Sequence, residues 1–214
     1  MSIQEIEKQR FIDRAPGYPF AQPGDIYFTR GTNPLGRLIR WAEQSKGERP
    51  SWCNHMGGIT KPGYLIPPAG RISTLATATE ALWKVEEHVW WEAHKKNQGY
   101  AVAVFRPRHY SGDEGVERVV ADWRSRTGNG YGWWRLLTFL GEKLTGIPLT
   151  RLHFQDVRVV CSNHIAHGLE EDGIHFNDHD PNELDPDEGM DYCAGKPEEF
   201  KFVGWGIVPG DHPA

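Results

Sequence analysis

The chain has 214 residues, 38% hydrophobic and 25% charged, with a net charge of -5, enough for one domain with a full core and cramped for two. That balance gives no general pull toward nucleic acid or an anionic membrane, and the helix-like apolar patch WWRLLTFLGEKL is amphipathic and too short to span a bilayer. Three widely spaced cysteines, Cys53, Cys161 and Cys193, do not make a disulfide framework and fit a reducing compartment, with a single bridge left open.

The opening MSIQEIEKQRFIDR has a charged helical pattern without the apolar run of a secretory signal. With the Pro/Gly-rich stretch that follows, it reads as an N-terminal helix and entry loop over 1–23. DIYFTR is a strand. Asn33 as cap and Pro34 at the first helical position then open a helix with Leu35, Leu38, Ile39 and Ala42 on one face. HMGGIT reads as a short strand whose glycines permit close backbone approach. GYLIPPAG is a strand and turn, and Leu75 to Val85 one longer strand.

Residues 86–96 give no clear pattern, although Trp90 and Trp91 read as at least half buried. YAVAVFRPR is a strand stopped by Pro107. Val116, Val119, Val120 and Trp123 mark one helix by their spacing, and Trp133, Leu136, Leu137 and Leu140 a second. The strand RVV leads into a helix beginning near Cys161. An acidic loop region covers 174–199, and FKFVGWGIV closes the chain as a strand. One α+β domain over 1–214 is the simplest account.

Arg30, Arg37 and Arg40, and separately Arg106 and Arg108, read as solvated faces rather than a phosphate track. Most of the nine tryptophans belong in a core, with a few left to line a groove for an extended or amphipathic ligand. Asp178, Asp180 and Asn182 alternate as calcium ligands do. Glu183 stands where the sixth-place glycine is required and Gly189 where the twelfth-place acid is, so the EF-hand pattern fails. His175 with His179, or Cys161 with His164 and His167, lack a second cysteine pair. Histidines three apart on a helix are commoner as surface or capping groups, so no metal and no cofactor is expected.

VVCSNHIAHGLEEDG places Cys161 at a helix start. There the unpaired backbone N–H groups and the positive end of the helix dipole favour thiolate, the reactive form of the side chain. The alternative is a small buried hydrophobe. A thiol nucleophile needs a base and a group that orients the base. His55 begins a short strand directly after a loop, where a side chain is aimed with little slack. Glu80 is the one acid in LATATEALWKV, and an acid in an apolar strand is costly unless partnered. If the two strands are neighbours, Glu80 orients the His55 ring; otherwise it is an outward-facing strand residue. Asp25 reads as structural. Cys53 shares a strand face with His55, as a cleft residue or a packed thiol.

In order, GDIYF, a helix, NHMGGIT, TEAL, a strand ending FRPR, GYGWW and VVCSNHIAHGL resemble the circularly permuted NlpC-type (YiiX/YaeF-like) cysteine peptidases. These belong to a papain-like superfamily that also includes the lecithin–retinol acyltransferase group. The resemblance spans roughly Gly24 to Leu169. It implies an antiparallel sheet packed against helices, with the nucleophile at a helix N-terminus. It also implies Cys161 as nucleophile, His55 as base, Glu80 as the orienting group, and Tyr131 with the Cys161 N–H as oxyanion donors.

The function expected is a thiol hydrolase, a cysteine peptidase or amidase cutting a peptidoglycan peptide through an acyl-enzyme. Made in the cytoplasm without a signal, it would reach the wall by a phage lysis system or by a secretion machine as a toxin, with an immunity protein or the delivery machinery as partner. A lipid acyltransferase or thioesterase, with Trp133 and Trp134 along the acyl chain, and a non-catalytic peptide- or lipid-binding module are the alternatives. Neither nucleic acid nor stable membrane insertion is expected.

Overall fold

The computed structural model describes residues 15–32, 34–43, 52–69, 74–81, 83–130, 141, 145, 161–176, 181 and 184–210. Eight strands are found there: β1 (Phe20–Ala21), β2 (Ile26–Arg30), β3 (His55–Lys61), β4 (Gly63–Tyr64), β5 (Thr77–Ala81), β6 (Val85–Val89), β7 (Ala101–Pro107) and β8 (Phe200–Ile207). The helices are α1 (Pro34–Glu43), α2 (Trp90–His94), α3 (Gly112–Ser125), α4 (Cys161–Glu170) and α5 (Pro186–Gly195). This is a mixed α+β arrangement. Six strands form one antiparallel sheet in the order β6-β5-β3-β2-β7-β8, and β1 pairs with β4 apart from it.

Period-two alternation divides the core between the two faces of this sheet. Ile26, Phe28, Met56, Ala103 and Phe105 meet Val119 and Trp123 of α3, Ile165 and Leu169 of α4, and Met190 of α5. Tyr27, Ile59, Ala78, Val102 and Val104 lie on the other face, with Trp90 and Tyr100. Both faces of the central strands are covered, so β3 is buried from His55 to Thr60. The paired glycines of β3 serve this packing. A Cβ on Gly57 would overlap the Tyr27 hydroxyl, and one on Gly58 the Trp123 ring.

Asp25, at the entry of β2, is buried and held bidentately by Arg106 of β7, both contacts 2.7 Å. It also accepts the Gln22 N–H at 2.8 Å. Arg106 is therefore a core partner, not part of a solvated face. Burial raises the Asp25 carboxyl, and the arginine and the Gln22 N–H act against that rise.

The stretch 75–85 is two strands, not one. Thr77–Ala81 turns back at 82–84 into Val85–Val89, and Glu80 faces Glu86 in the register. The turn carries Trp83, largely exposed, and has no glycine, proline or asparagine to announce it. The acidic region 174–199 is not all loop, since α5 lies inside it. Asp185 accepts the Glu188 N–H at 2.8 Å in a reciprocal capping box, with Pro186 at the first turn, and Met190, Cys193 and Ala194 are buried. The entry loop contains β1. The helix expected before residue 15, the Asn33 cap, the helix around Trp133 and the strand RVV lie outside the described residues, as do Asp178, His179, Asp180, Asn182 and Glu183. No helix among the described residues is long and apolar enough to cross a membrane.

Candidate functional site

The sheet register brings His55 and Glu80 together. Gly57 of β3 is the Cα partner of Glu80 of β5, and His55 is two residues from Gly57, on the same face. Glu80 is thus the diagonal neighbour of His55, within reach for side chains of this length. His55 Nε2 stands 2.6 Å from Glu80 Oε2, with His55 5% exposed and Glu80 fully buried. α4 packs on β3 and sets Cys161, at its first turn, against the head of that strand. The Cys161 thiol lies in the field of His55 and of the backbone N–H groups of Met56 and Ser162, all of which favour its thiolate. With Nε2 on Glu80, Nδ1 is the ring nitrogen left for sulfur.

The electrostatics favour a charged pair. Burial opposes ionisation of both groups. At Cys161 it is outweighed by the charge of His55, the hydrogen bond from His55 and the two backbone N–H groups, and the thiol is lowered. At His55 it is outweighed by the charge and hydrogen bond of Cys161 and then by Glu80, and the imidazole is raised. Glu80 is held well below the ordinary carboxylate range, since its hydrogen bond with His55, the close approach of His88 and the charge of His94 overcome its burial. A thiolate–imidazolium pair backed by a carboxylate can attack a carbonyl carbon and carry a proton to a leaving group.

Sequence reasoning missed the other occupants of Glu80. His94 Nε2 lies 2.8 Å from Oε1 and His88 Nε2 2.6 Å from the same oxygen. Tyr27 brings its hydroxyl beside the carboxylate, and burial with the Glu80 charge pushes that phenol well above its ordinary range. Glu80, His88 and His94 are the group among the described residues able to hold a metal ion. The signal available was E-x7-H-x5-H, but its members come from β5, β6 and α2 and meet only through the register.

Tyr131 lies outside the described residues. Cys53 is buried with its thiol directed at the Pro186 carbonyl, 3.1 Å away, and Cys193 is buried in α5, where desolvation raises its thiol. His164 is not on a surface: it is fully buried and bonds Thr79 Oγ1 at 3.1 Å, and burial, with the charges of Arg126 and His55, pushes it down to about 3. Arg30 and Arg37 are exposed and Arg40 is half-buried. With Trp52 and Trp205 they line a cavity of about 500 Å³. Arg30 follows Thr29, the Cα partner of His55, so it lies at the same end of the sheet as His55 but on the other face, and none of Cys161, His55 and Glu80 lines this cavity.

No protein-family model matches the chain, and no curated protein matches it in sequence.

Proposed function

We propose that this chain is a thiol hydrolase of the permuted papain-like kind, cutting an amide through an acyl-enzyme on Cys161. The observation that carries the reading is the convergence of Cys161 and Glu80 on the one buried imidazole of His55, Glu80 through a 2.6 Å contact and Cys161 through the mutual stabilisation of thiolate and imidazolium. In this reading the thiol gives its proton to His55 Nδ1, and the sulfur attacks the carbonyl carbon. The oxyanion accepts from the N–H groups at the start of α4, with Tyr131 as the further donor that the resemblance implies. His55 then protonates the leaving amine. A water deprotonated by His55 attacks the thioester and releases the acid and the free thiol. Glu80 fixes the ring and offsets the imidazolium charge.

The substrate class proposed is a peptidoglycan peptide. Such peptides present free carboxylates near their amide bonds, which suits a cavity with three arginines at the same end of the sheet as His55. Delivery by a lysis or secretion system, and an immunity protein as partner, are proposed together with this substrate. The same cavity favours one other reading. Trp52, Trp205 and Ile207 beside the arginines also suit a phospholipid, which would make the chain an acyltransferase or thioesterase. Incubation with purified sacculi and with phospholipid vesicles, followed by mass spectrometry, separates the two. New amines and fragments from sacculi support the amidase. Released or transferred acyl groups support the lipid enzyme, and binding without cleavage of either would retire catalysis in favour of a binding module.

A further inference from the structure

We propose that Glu80, His88 and His94 form a zinc site that shares Glu80 with His55. Two imidazole nitrogens converge on one carboxylate oxygen, His94 Nε2 at 2.8 Å and His88 Nε2 at 2.6 Å from Oε1. His94 meets that oxygen in a hydrogen-bonding direction, whereas His88 Nε2, buried and within ion-pair distance of it, is not aligned for a hydrogen bond. A buried ring nitrogen left this way is costly. A dication between the three atoms removes the cost, because both nitrogens then act as lone-pair donors.

The geometry suits such an ion. The three ligand atoms lie within 4.8 Å of one another. Zinc bonds of about 2.0–2.1 Å set tetrahedral ligands about 3.3 Å apart, so each nitrogen and the oxygen need to part by less than about 1 Å. The His94 ring is held in advance, stacked on Tyr100 at 5.1 Å and 9° and packed on Trp90 at 4.7 Å. Its Nδ1 faces the Asn97 side-chain amide, the kind of outer partner that orients a ligating imidazole. Two imidazoles and one carboxylate in a buried setting select zinc over magnesium or calcium. The His88 side chain is 21% exposed, which leaves an entry path and room for a water as fourth ligand. Oε2 remains on His55, so the ion pins the carboxylate from its far side. The site is independent of the thiol chemistry and stands or falls without it.

The test uses the full chain with Cys161→Ser, so that sulfur cannot compete for metal, stripped with chelator and titrated with cobalt(II) and with zinc. Expected are one ion per chain, the visible bands of four- or five-coordinate cobalt, and nitrogen/oxygen ligation by X-ray absorption. Zinc at about 100 times its Kd should raise the thermal midpoint by about 5–10 °C. His88→Gln and His94→Gln should each lose the cobalt bands. His88, the more exposed ligand, supplies the variant least exposed to misfolding, and circular dichroism of its metal-free form checks the fold. Absence of cobalt bands and of a zinc-dependent midpoint in the parent, or bands that persist in both histidine variants, would overturn the site. Alkylation of Cys161 in the metal-free wild type tests the hydrolase reading separately.

Discussion

Thr79 and His164 are joined by a hydrogen bond of 3.1 Å, which ties the strand carrying Glu80 directly to the helix carrying Cys161. His164 sits in α4 three residues from the thiol and is fully buried. The relative placement of Cys161 and Glu80 is therefore fixed from the far side of the sheet as well as through His55.

A pH dependence of stability follows. His164 is held near 3 by burial, below the ordinary histidine value of about 6.5. Between those values the unfolded chain binds the proton and the folded chain does not. Stability is thus fully present above about pH 6.5 and is lost as pH falls toward 3, with a slope of up to about 1.4 kcal/mol per pH unit. His164→Gln keeps a hydrogen-bonding side chain and removes the titration. Urea unfolding across pH 4–7 should show a shallower acid loss in the variant, and equal slopes would exclude His164 as the cause.

The three thiols should differ in reactivity. Cys161 is lowered by His55 and two N–H groups, while Cys193 is raised by burial and Cys53 is directed at a carbonyl. Limiting iodoacetamide at mildly acidic pH should label Cys161 first, as read by peptide mapping. His55→Ala should slow that labelling about tenfold, the effect of one pKa unit. Cys161→Ala should abolish turnover at a stability cost of about 1 kcal/mol or less. Earlier labelling of Cys53 or Cys193, or turnover by Cys161→Ala, would remove Cys161 as nucleophile.

Gly57 has no room for a side chain because the Tyr27 hydroxyl occupies the space. Gly57→Ala should cost about 1–3 kcal/mol of overpacking, lowering the thermal midpoint by about 2–4 °C per kcal/mol. In Tyr27→Val the ring is gone and the methyl has space, so the two losses should be less than additive. Strict additivity in a double-mutant cycle would show that the ring is not what excludes the side chain.

The cavity beside the sheet makes a kinetic prediction. Arg30 and Arg37 are exposed, so each should contribute modestly to holding an anionic substrate. Alanine at either position should raise KM up to about fivefold and leave kcat nearly unchanged. A drop in kcat at constant KM would mean that the arginines do not serve substrate binding.

Much of this arrangement was legible in the chain. Glu80 stood out because an acid in an apolar strand needs a partner, and His55 because it heads a strand after a loop; the pairing itself depended on β3 and β5 being neighbours. His88 and His94 were not legible, since their strand and helix lay in a stretch without clear periodicity. The β5–β6 turn was hidden for want of turn residues. α5 was hidden by its acidity, although Asp185, Pro186 and Glu188 spell a helix start. Arg106 looked like surface charge because its partner Asp25 lies across the sheet.

The order of the site along the chain has a consequence for synthesis. β2, β3 and β5 leave the ribosome before Cys161, and at about 5–20 residues per second the sulfur trails Glu80 by roughly 4–16 s. Over that interval the nascent chain holds His55 and Glu80 without Cys161. β8, which closes one edge of the sheet, and α5, which covers part of its face, emerge later still. A thiol freed early would be a hazard to the translating cell. By this order Cys161 joins strands that have already emerged, and the elements that close and cover the sheet follow it.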